Sequence, residues 1–360
     1  MPVSLQLQLE EAGRPSHGTP YESSGSGVSL PALLGELATS GGILSAVGHT
    51  PLVRLERFFD EKKFHVFAKL EALNPGGSMK DRAALAMLRD ALESGMIHRN
   101  SVIIESSSGN MGIGLAQACS YYGLRFICVI DSKTTSINRN LLRAYGAEVD
   151  LVERSPSSGT IDYLQLRLSR VRTLLGQIKS SFWPNQYANE ANARAHWNTM
   201  SEIVTDLKFD PHFLFCAVST CGTLRGCSEY ISSHQLNTRI VGVDAVGSVI
   251  FGGVSSPRLI PGHGAAIQPP LFREGLAHRH VHVSDEQCVI GCRRLARKEA
   301  IVAGGSSGAV MMAINQIKDD IPPYATCVAI LADRGERYLD TIYSDDWVRE
   351  HFHDCREIWG

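Results

Sequence analysis

Lys80 is the residue of this chain best suited to act as a nucleophilic amine. It stands in Asn74–Arg82, which reads Asn-Pro-Gly-Gly-Ser-Met-Lys-Asp-Arg, and the sequence predicts that a helix begins beside it, at Asp81. A helix N-terminus disfavours a nearby cation, so an amine there is easier to keep neutral. A neutral lysine amine can form a Schiff base. Lys80 alone would equally fit a surface lysine at a helix start, and the neighbouring loops favour the amine.

A serine-rich loop from Ser106 to Asn110 could bind a carboxylate. It follows a predicted strand, Val102–Glu105, and opens another predicted helix. Hydroxyl groups and backbone N–H groups at a helix N-terminus bind anions. An amine beside such a carboxylate cradle suggests amino-acid chemistry with pyridoxal phosphate (PLP), the cofactor that pairs with a lysine amine in such reactions.

A second loop of small residues could hold a phosphate. It follows the apolar strand Phe213–Val218 and precedes a predicted helix, and its small residues let the backbone wrap an anion. No P-loop lysine follows, so a single phosphate such as that of PLP fits better than a nucleotide. The residues of the loop are Ser219, Thr220, Cys221, Gly222 and Thr223.

A third loop, Ala303 to Ala309, reads Ala-Gly-Gly-Ser-Ser-Gly-Ala and also opens a predicted helix. At a PLP site its Ser306 could offer a hydroxyl to the pyridine nitrogen. A neutral hydroxyl does not hold that nitrogen protonated, as a carboxylate partner does. The ring would then be a weaker electron sink, which favours elimination of a good β-leaving group over reactions that need a long-lived carbanion.

Composition narrows the class of protein. The chain has 360 residues, 44% of them hydrophobic and 20% charged, with a net charge of −2, so nothing favours nucleic-acid binding. No apolar run reaches the length of a membrane span, and the N-terminus lacks the pattern of a signal peptide. Nine scattered cysteines without a CxxC motif predict free thiols in a reducing cytoplasm.

The motifs must be positioned by strands that alternate with helices, and this pattern predicts an α/β fold with mainly parallel sheets. We expect residues 1–40, rich in Ser, Gly and Pro, to be a disordered extension. The predicted strands are His65–Leu70, Val102–Glu105, Phe126–Ile130, Val149–Val152, Phe213–Val218, Ile240–Asp244, His280–Val283 and Cys327–Leu331. The predicted helices are Asp81–Glu93, Met111–Tyr122, Ile137–Tyr145, Tyr163–Leu175, Glu190–Leu207, Leu224–Ser233, Asp285–Arg297, Ser307–Gln316 and Glu336–Tyr343.

Two groups of histidines raise the question of a metal site. His278, His280 and His282 would lie on one face of a strand, and three imidazoles on one face can bind zinc. Exposed strand faces often carry histidine, so we expect no metal there. The same expectation applies to a group near the C-terminus: His351, His353 and Cys355.

These motifs together resemble those of the fold-type II PLP enzymes of the cysteine synthase and cystathionine β-synthase family. The resemblance extends from about Val47 to Trp347. It implies a fold like that of the tryptophan synthase β subunit, with two open twisted sheets and the cofactor between them, and a homodimer that acts on small amino-acid substrates. It also implies a large lobe of residues 41–81 and 190–347, a smaller mobile lobe of residues 82–189, and a C-terminal tail of residues 348–360.

The resemblance assigns roles residue by residue. Lys80 matches the lysine that carries the cofactor and later moves the α-proton, and Asn110 matches the asparagine at the ring hydroxyl of the cofactor. Ser306 matches the serine at the pyridine nitrogen. The cofactor phosphate is assigned to Ser219, Thr220, Cys221, Gly222 and Thr223, and the substrate carboxylate to Ser106, Ser107 and Gln186.

Departures from the family pattern suggest an unusual substrate. Met111 stands where cysteine synthases carry a threonine that helps to hold the substrate carboxylate, so one polar contact is lost and apolar bulk is gained. Arg167, Tyr187 and Ser219 are candidates to contact an acidic co-substrate or a phosphoryl leaving group, since an arginine fork suits both anions. For Arg167 a solvated helix face is the alternative.

Within the family the chain most resembles the synthases that join O-phospho-L-serine to L-glutamate, and we expect that β-replacement. The alternatives are the same chemistry with L-aspartate, or a cysteine synthase that uses sulfide with O-acetylserine or O-phosphoserine. A PLP-binding scaffold without catalysis is a further alternative, against which the intact Lys80, Asn110 and Ser306 argue.

Overall fold

The computed structural model describes residues 42–60, 63–153 and 163–352, and its strands form two separate sheets. A six-stranded sheet has the order β1-β2-β10-β7-β8-β9, and a four-stranded sheet has the order β5-β4-β3-β6. All neighbouring strands are parallel except β1, which pairs antiparallel with β2. The strands are β1 (Leu52–Leu55), β2 (His65–Leu70), β3 (Val102–Ser106), β4 (Arg125–Asp131), β5 (Glu148–Val152), β6 (Ser181–Phe182), β7 (Phe213–Ala217), β8 (Arg239–Ala245), β9 (Arg279–Val283) and β10 (Thr326–Leu331).

Helices follow most of the strands, as parallel sheets require. They are α1 (Lys80–Glu93), α2 (Asn110–Tyr122), α3 (Ser136–Ala144), α4 (Tyr163–Gln177), α5 (Glu190–Leu207), α6 (Gly222–Ser233), α7 (Asp285–Glu299), α8 (Gly305–Gln316) and α9 (Asp345–His351). The predicted α/β fold with mainly parallel sheets is therefore confirmed. The predicted helix Glu336–Tyr343 is wrong, because only a short 3₁₀ helix, Gly335–Tyr338, forms there.

The larger sheet is built from the two ends of the described chain. β10 is the last strand in the sequence, yet it lies between β2 and β7, with Thr326 opposite His65 and Leu331 opposite Leu70. All six of its residues are buried, as expected for a central strand covered by helices on both faces. The smaller sheet comes entirely from residues 102–182.

The predicted lobes can be compared with these sheets. Helix α1 packs against both α2, beside the smaller sheet, and α5, and the lobe boundaries at residues 82 and 190 stay predictions. The predicted extension of residues 1–40 lies outside the described residues. Helix α9 runs through Val348, which is buried, so the start of the predicted C-terminal tail is part of the folded body.

A buried network of charges joins β2, α1 and α5 beneath the Lys80 turn. The Arg82 guanidinium donates to Glu71 at 2.7 and 2.8 Å and to both carboxylate oxygens of Glu202 at 2.7 Å. The fully buried Lys69 amine lies 2.8 Å from Glu202 and donates to the backbone oxygen of Thr50 at 2.5 Å. Because each buried charge has an opposite partner, the network is satisfied and holds the start of α1 in place.

Eight cysteines lie within the described residues, and all are free and buried. Burial raises the pKa of their thiols, that of Cys128 for example to about 12. No helix among the described residues is long and apolar enough to span a bilayer.

Candidate active site

Lys80 is the first residue of α1 and follows a tight turn in which Gly77 has a φ of 87°. The positive φ explains the glycine, because side chains rarely tolerate it. Desolvation lowers the pKa of the Lys80 amine, although the carboxylates of Asp333 and Glu71 act in the opposite direction. The amine is therefore closer to its neutral, nucleophilic form than an exposed lysine would be.

The turn before Lys80 is held at both sides of Gly76. The Gly76 N–H donates to the Asp81 carboxylate at 2.5 Å, and its carbonyl oxygen accepts from Nη2 of Arg337. A Cβ at Gly76 would lie 2.6 Å from the Asp81 carboxylate, so a larger residue would displace the carboxylate that the Gly76 N–H binds. Burial raises the pKa of Asp81 to about 7.

Asn110 begins α2 and meets a group of residues that sequence reasoning did not assign. Its Nδ2 donates to Oδ2 of Asp333 at 2.7 Å, and its Oδ1 accepts from Nη1 of Arg337. The Tyr338 hydroxyl donates to the same Asp333 oxygen at 2.6 Å. Oδ1 of Asp333 is buried without a hydrogen-bond partner among the described residues. Burial raises the pKa of Asp333, and the two donated hydrogen bonds oppose that shift.

The predicted phosphate loop connects β7 to α6. Cys221 caps α6 in the left-handed conformation, with a φ of 66°. Behind it, a Cβ at Gly222 would lie 2.4 Å from Oδ1 of Asn192, so glycine lets the loop close against that side chain. Asn192 is buried and donates to the backbone oxygen of Gln186 at 2.7 Å and to Oγ1 of Thr220 at 3.5 Å. Asn192 therefore links the phosphate loop to Gln186, one of the residues predicted to bind the substrate carboxylate.

A buried histidine supports the other end of this loop. Nε2 of His196 lies 3.3 Å from Oγ1 of Thr223, and its Nδ1 lies 3.2 Å from Oγ1 of Thr199. Burial, and then the positive charges of Lys80 and Arg82, hold the pKa of His196 well below its ordinary value. The imidazole is therefore neutral, and one ring nitrogen can donate while the other accepts. The side chain of Ser219, at the start of the loop, is half-buried.

The predicted carboxylate site lies at the end of β3. The Ser106 hydroxyl is buried and has no hydrogen-bond partner among the described residues. Gln186 reaches the same place, since its Nε2 donates to the backbone oxygen of Ser106 at 3.1 Å. Ser107 instead accepts from the backbone N–H of Gly112 at 2.9 Å, so its hydroxyl is already used by the start of α2. Ser106 and Gln186 are thus brought together as expected.

Glu105 fixes the geometry of this site from behind. Its buried carboxylate accepts from Nε1 of Trp183 and from the backbone N–H of Ser106, both at 2.8 Å, and from the backbone N–H of Gln186 at 3.1 Å. Burial raises its pKa to about 7, against the effect of these donors.

Ser306 lies in the first turn of α8 and is half-buried. The neighbouring Ser307 is buried, and its hydroxyl accepts from the backbone N–H of Ala332 at 2.9 Å. The N–H of Gly304 donates to the backbone oxygen of Asp333 at 3.2 Å. Ser306 is thus placed at a helix start that is tied to the Asp333 segment.

The residues predicted to contact an acidic co-substrate differ in burial and in their partners. Arg167 is buried, and its Nη1 lies 3.0 Å from Oδ2 of Asp131, so the charge has a partner. Its Nε nevertheless has no hydrogen-bond partner among the described residues. The alternative of a solvated helix face does not apply, because the side chain is buried. Tyr187 is partly buried against the core that includes Trp183. Met111 is buried in the core around α1 and α2, so its side chain packs in that core.

The histidine group at β9 has other partners. The His280 ring stacks on Phe251 with centroids 4.8 Å apart, and Nε2 of His282 lies 3.9 Å from the Asp244 carboxylate. Nδ1 of His278 accepts from a backbone N–H at 3.1 Å. In residues 42–60, 63–153 and 163–352, no group of three or more His, Cys, Asp or Glu side chains is arranged to hold a metal ion.

The residues described above fit pyridoxal phosphate. A desolvated amine, Lys80, can take its aldehyde, and the loop of small residues that begins α6, packed closely on Asn192, offers backbone N–H groups at a helix start for its phosphate. Asn110 and Ser306 supply an amide and a hydroxyl for polar ring atoms. These four features come from both sheets and their helices, and the roles of the individual residues stay predictions.

Comparison with known proteins agrees with this fit. A family model described as "Pyridoxal-phosphate dependent enzyme" matches residues 43–333. Among solved structures, O-ureido-L-serine synthase is 31% identical with a TM-score of 0.79, covering 88% of this chain and 98% of its own.

Two further structures have similar scores. A hydrogen sulfide-producing enzyme from Fusobacterium nucleatum is 30% identical with a TM-score of 0.78, covering 83% of this chain and 98% of its own. An O-acetylserine dependent cystathionine beta-synthase from Helicobacter pylori is 29% identical with a TM-score of 0.78, covering 84% and 98%.

Proposed function

The chain belongs to the family of pyridoxal-phosphate dependent enzymes, and from this premise we propose that it joins O-phospho-L-serine to L-glutamate by β-replacement. The bond between the β-carbon and the phosphate oxygen of O-phospho-L-serine breaks. A bond between that carbon and the α-amine nitrogen of glutamate forms, and this nitrogen loses a proton. The products are N-(2-amino-2-carboxyethyl)-L-glutamate and phosphate.

The observation that carries the proposal is the unpartnered buried hydroxyl of Ser106. An unsatisfied buried polar group calls for a ligand, and this one ends the strand that leads into the loop of Asn110. Asn110 in turn bonds Asp333, whose carboxylate acts on the Lys80 amine. A carboxylate cradle and a nucleophilic amine are therefore connected parts of one site, as an amino-acid substrate requires.

Each residue then has a distinct task. Lys80 Nζ binds the cofactor and afterwards moves the proton of the substrate α-carbon, for which its lowered pKa suits it. Ser106 and Gln186 orient the substrate carboxylate, and the loop from Ser219 to Thr223 holds the cofactor phosphate. When bound, PLP withdraws electrons from the substrate α-carbon.

Support for glutamate as the nucleophile comes from four stretches of sequence that resemble N-(2-amino-2-carboxyethyl)-L-glutamate synthase. Three residues of the candidate site, Lys80, Gln186 and Asp333, lie in three of these stretches. The stretches are Asn74–Arg82, Asn185–Glu190, Val243–Gly252 and Asp333–Asp340. By the same resemblance the product would serve 2,3-diaminopropionate synthesis for a siderophore or a related secondary metabolite, and the enzyme would be a cytoplasmic homodimer.

Arg167 is the proposed contact to the second carboxylate of glutamate. Its guanidinium can still donate hydrogen bonds. Nη1 faces Asp131, but the buried Nε has no hydrogen-bond partner among the described residues. A buried donor without a partner is costly unless a ligand satisfies it.

Cysteine synthase activity is the second candidate, because the similar structures include a hydrogen sulfide-producing enzyme and an O-acetylserine dependent enzyme. The same chemistry with L-aspartate is a variant of the first candidate.

The test supplies O-phospho-L-serine or O-acetyl-L-serine to the holoenzyme with glutamate, aspartate or sulfide. Release of phosphate from O-phospho-L-serine or of acetate from O-acetyl-L-serine gives the rates, and mass spectrometry identifies the product. We expect the highest specificity constant with O-phospho-L-serine and glutamate. If sulfide gives the higher specificity constant, the proposal fails and the enzyme is a cysteine synthase.

A pair of variants tests the contact to glutamate. Arg167→Ala should lower the specificity constant for glutamate about ten- to a hundred-fold, the effect of losing a charge-assisted hydrogen bond. Arg170→Ala is the matched control, because Arg170 lies on the same helix and pairs with Asp150 at 2.7 Å near the surface. If the specificity constant for glutamate falls equally in the two variants, Arg167 does not contact glutamate.

A further inference from the structure

We propose that Arg337 is a positioning residue that fixes the orientation of the Asn110 amide, so that Asn110 offers its NH₂ group to the bound cofactor. The same side chain ties Asn110 to the turn that carries Lys80. The proposal concerns how the cofactor is held, and it does not depend on which nucleophile the enzyme uses.

Arg337 is buried and lies between two parts of the site that are distant in sequence. Its Nη1 donates to Oδ1 of Asn110 and its Nη2 donates to the carbonyl oxygen of Gly76, residues 227 and 261 positions away. Asn110 begins a helix beside the smaller sheet, whereas Gly76 precedes Lys80. A guanidinium can make both contacts because its donors form a rigid planar fork.

The charge of Arg337 is not neutralised by a direct ion pair. No carboxylate oxygen lies within 4.0 Å of it in the part of the chain that the structure describes, whereas Arg82, Arg125, Arg167 and Arg170 each have such a partner. Its positive charge acts on two acidic groups, Asp81 and Asp333, where it opposes the rise in pKa that burial causes. Arg337 is therefore a cation directed at neutral oxygen atoms around the site.

These contacts permit one orientation of the Asn110 amide. The oxygen faces Arg337, which can only donate, and the nitrogen faces Oδ2 of Asp333 at 2.7 Å, which accepts. Turning the amide over would set NH₂ against N–H and oxygen against a carboxylate. One hydrogen of Asn110 Nδ2 is used by Asp333, and the second can go to the neighbouring Tyr338 hydroxyl or to a bound cofactor. The amide therefore presents its NH₂ group, and not its oxygen, on the side away from Arg337.

An amide held with its NH₂ group toward the cofactor favours an acceptor there. The hydroxyl on the PLP ring is such an acceptor when it has lost its proton. The cation behind the amide strengthens the donated hydrogen bond by polarising it. Arg337 should thus favour the ionised ring oxygen through Asn110, without touching the cofactor.

The test uses the visible absorption of the bound cofactor as a function of pH, together with the dissociation constant for PLP. In Arg337→Met we expect the pH midpoint of the absorption change to rise by about one to two units, because the ionised ring oxygen is no longer favoured. The dissociation constant for PLP should rise about ten- to a hundred-fold, the effect of losing a charge-assisted hydrogen bond. Arg337→Lys keeps the charge but not the fork, and should show a smaller change of the same sign.

A double variant separates positioning from general destabilisation. If Arg337 acts through Asn110, Arg337→Met should add almost nothing to the spectral change of Asn110→Ala. Additive changes, or a wild-type spectrum in Arg337→Met, would overturn the proposal.

The matched control is Arg334→Met, since Arg334 is exposed and its Nε donates to the backbone oxygen of Ala72 at 2.9 Å. Its spectrum should be that of the wild type. Circular dichroism checks the folding of each variant. If Arg337→Met does not fold, Arg337→Lys is compared with Asn110→Ala by the same criteria.

Discussion

Replacing Glu71 by Gln should destabilise the fold strongly, although the two side chains have almost the same shape. The Glu71 carboxylate accepts from Thr50 at 2.7 Å, from Asn74 at 2.9 Å and twice from Arg82, at 2.7 and 2.8 Å. Glutamine keeps one acceptor oxygen and turns an NH₂ group toward these donors. It also leaves the buried Arg82 with only the partly exposed carboxylate of Glu202, which Arg82 shares with Lys69. Lys69 has one further carboxylate, that of the exposed Asp206, at 3.6 Å.

Breaking a buried ion pair by removing one partner costs about 3–5 kcal/mol. With an unfolding entropy of about 2.1 cal/mol/K per residue, that loss in a folded body spanning residues 42–352 lowers the unfolding midpoint by about 5–8 °C. Glu148→Gln is the matched control, because Glu148 also pairs with an arginine through two bonds, at 2.5 and 2.8 Å, but is about half exposed. An exposed pair contributes at most about 1 kcal/mol, so this midpoint should fall by less than about 2 °C.

The assay is thermal unfolding followed by circular dichroism, on apoenzyme and holoenzyme at low and high salt. Salt should reduce the effect of Glu148→Gln and leave that of Glu71→Gln nearly unchanged, since buried pairs are screened less. Equal midpoints for the two variants would refute the reasoning, because burial would then make no difference to the value of the pair.

Further predictions concern the cofactor. Lys80→Ala should lose the visible absorption of the bound cofactor and all turnover, and wild-type turnover in this variant would contradict its role. Because the pKa of Lys80 is lowered, the rate at which apoenzyme captures PLP should rise with pH and level off below the ordinary lysine value of 10.5, which stopped-flow absorbance measures. Ser306→Ala should keep PLP bound but slow elimination, whereas Ser306→Asp should increase side reactions such as transamination; product analysis that shows unchanged partitioning in both would count against this role. Chelators should leave activity and melting temperature unchanged, and loss of stoichiometric zinc together with activity would restore a metal role for His278, His280 and His282.

Local patterns in the sequence predicted most of the elements. The strand His65–Leu70 and the helix Glu190–Leu207 were predicted with the bounds that the structure has, since each is a continuous periodic segment with clear turn residues at its ends. The edge strand Leu52–Leu55 and the two-residue strand Ser181–Phe182 were missed. Such short strands depend on partners far away in the sequence, and no local periodicity marks them.

The candidate site was predictable only in part for the same reason. Lys80 is marked by a Gly-Gly turn and the phosphate loop by a run of small residues, both at helix starts, and these are local signals. Arg337 and Asp333 reach Asn110 across more than 220 positions, and nothing in their own neighbourhood shows what they contact. The pairing of Arg167 with Asp131 likewise depends on the packing of α4 against β4, which no local sequence pattern shows.

The position of β10 has a consequence for how the protein is made in the cell. Because β10 lies between β2 and β7, a ribosome must extend the chain beyond Leu331 before the larger sheet can close. Until then β2 and β7 present unpaired edges, which are prone to aggregate and are surfaces that chaperones can cover. Asp333, Arg337 and Tyr338 follow β10 directly, so the nascent chain acquires the partners of Asn110 only after β10 itself. A transcript truncated shortly before β10 would therefore yield a product that neither closes its sheet nor retains the cofactor.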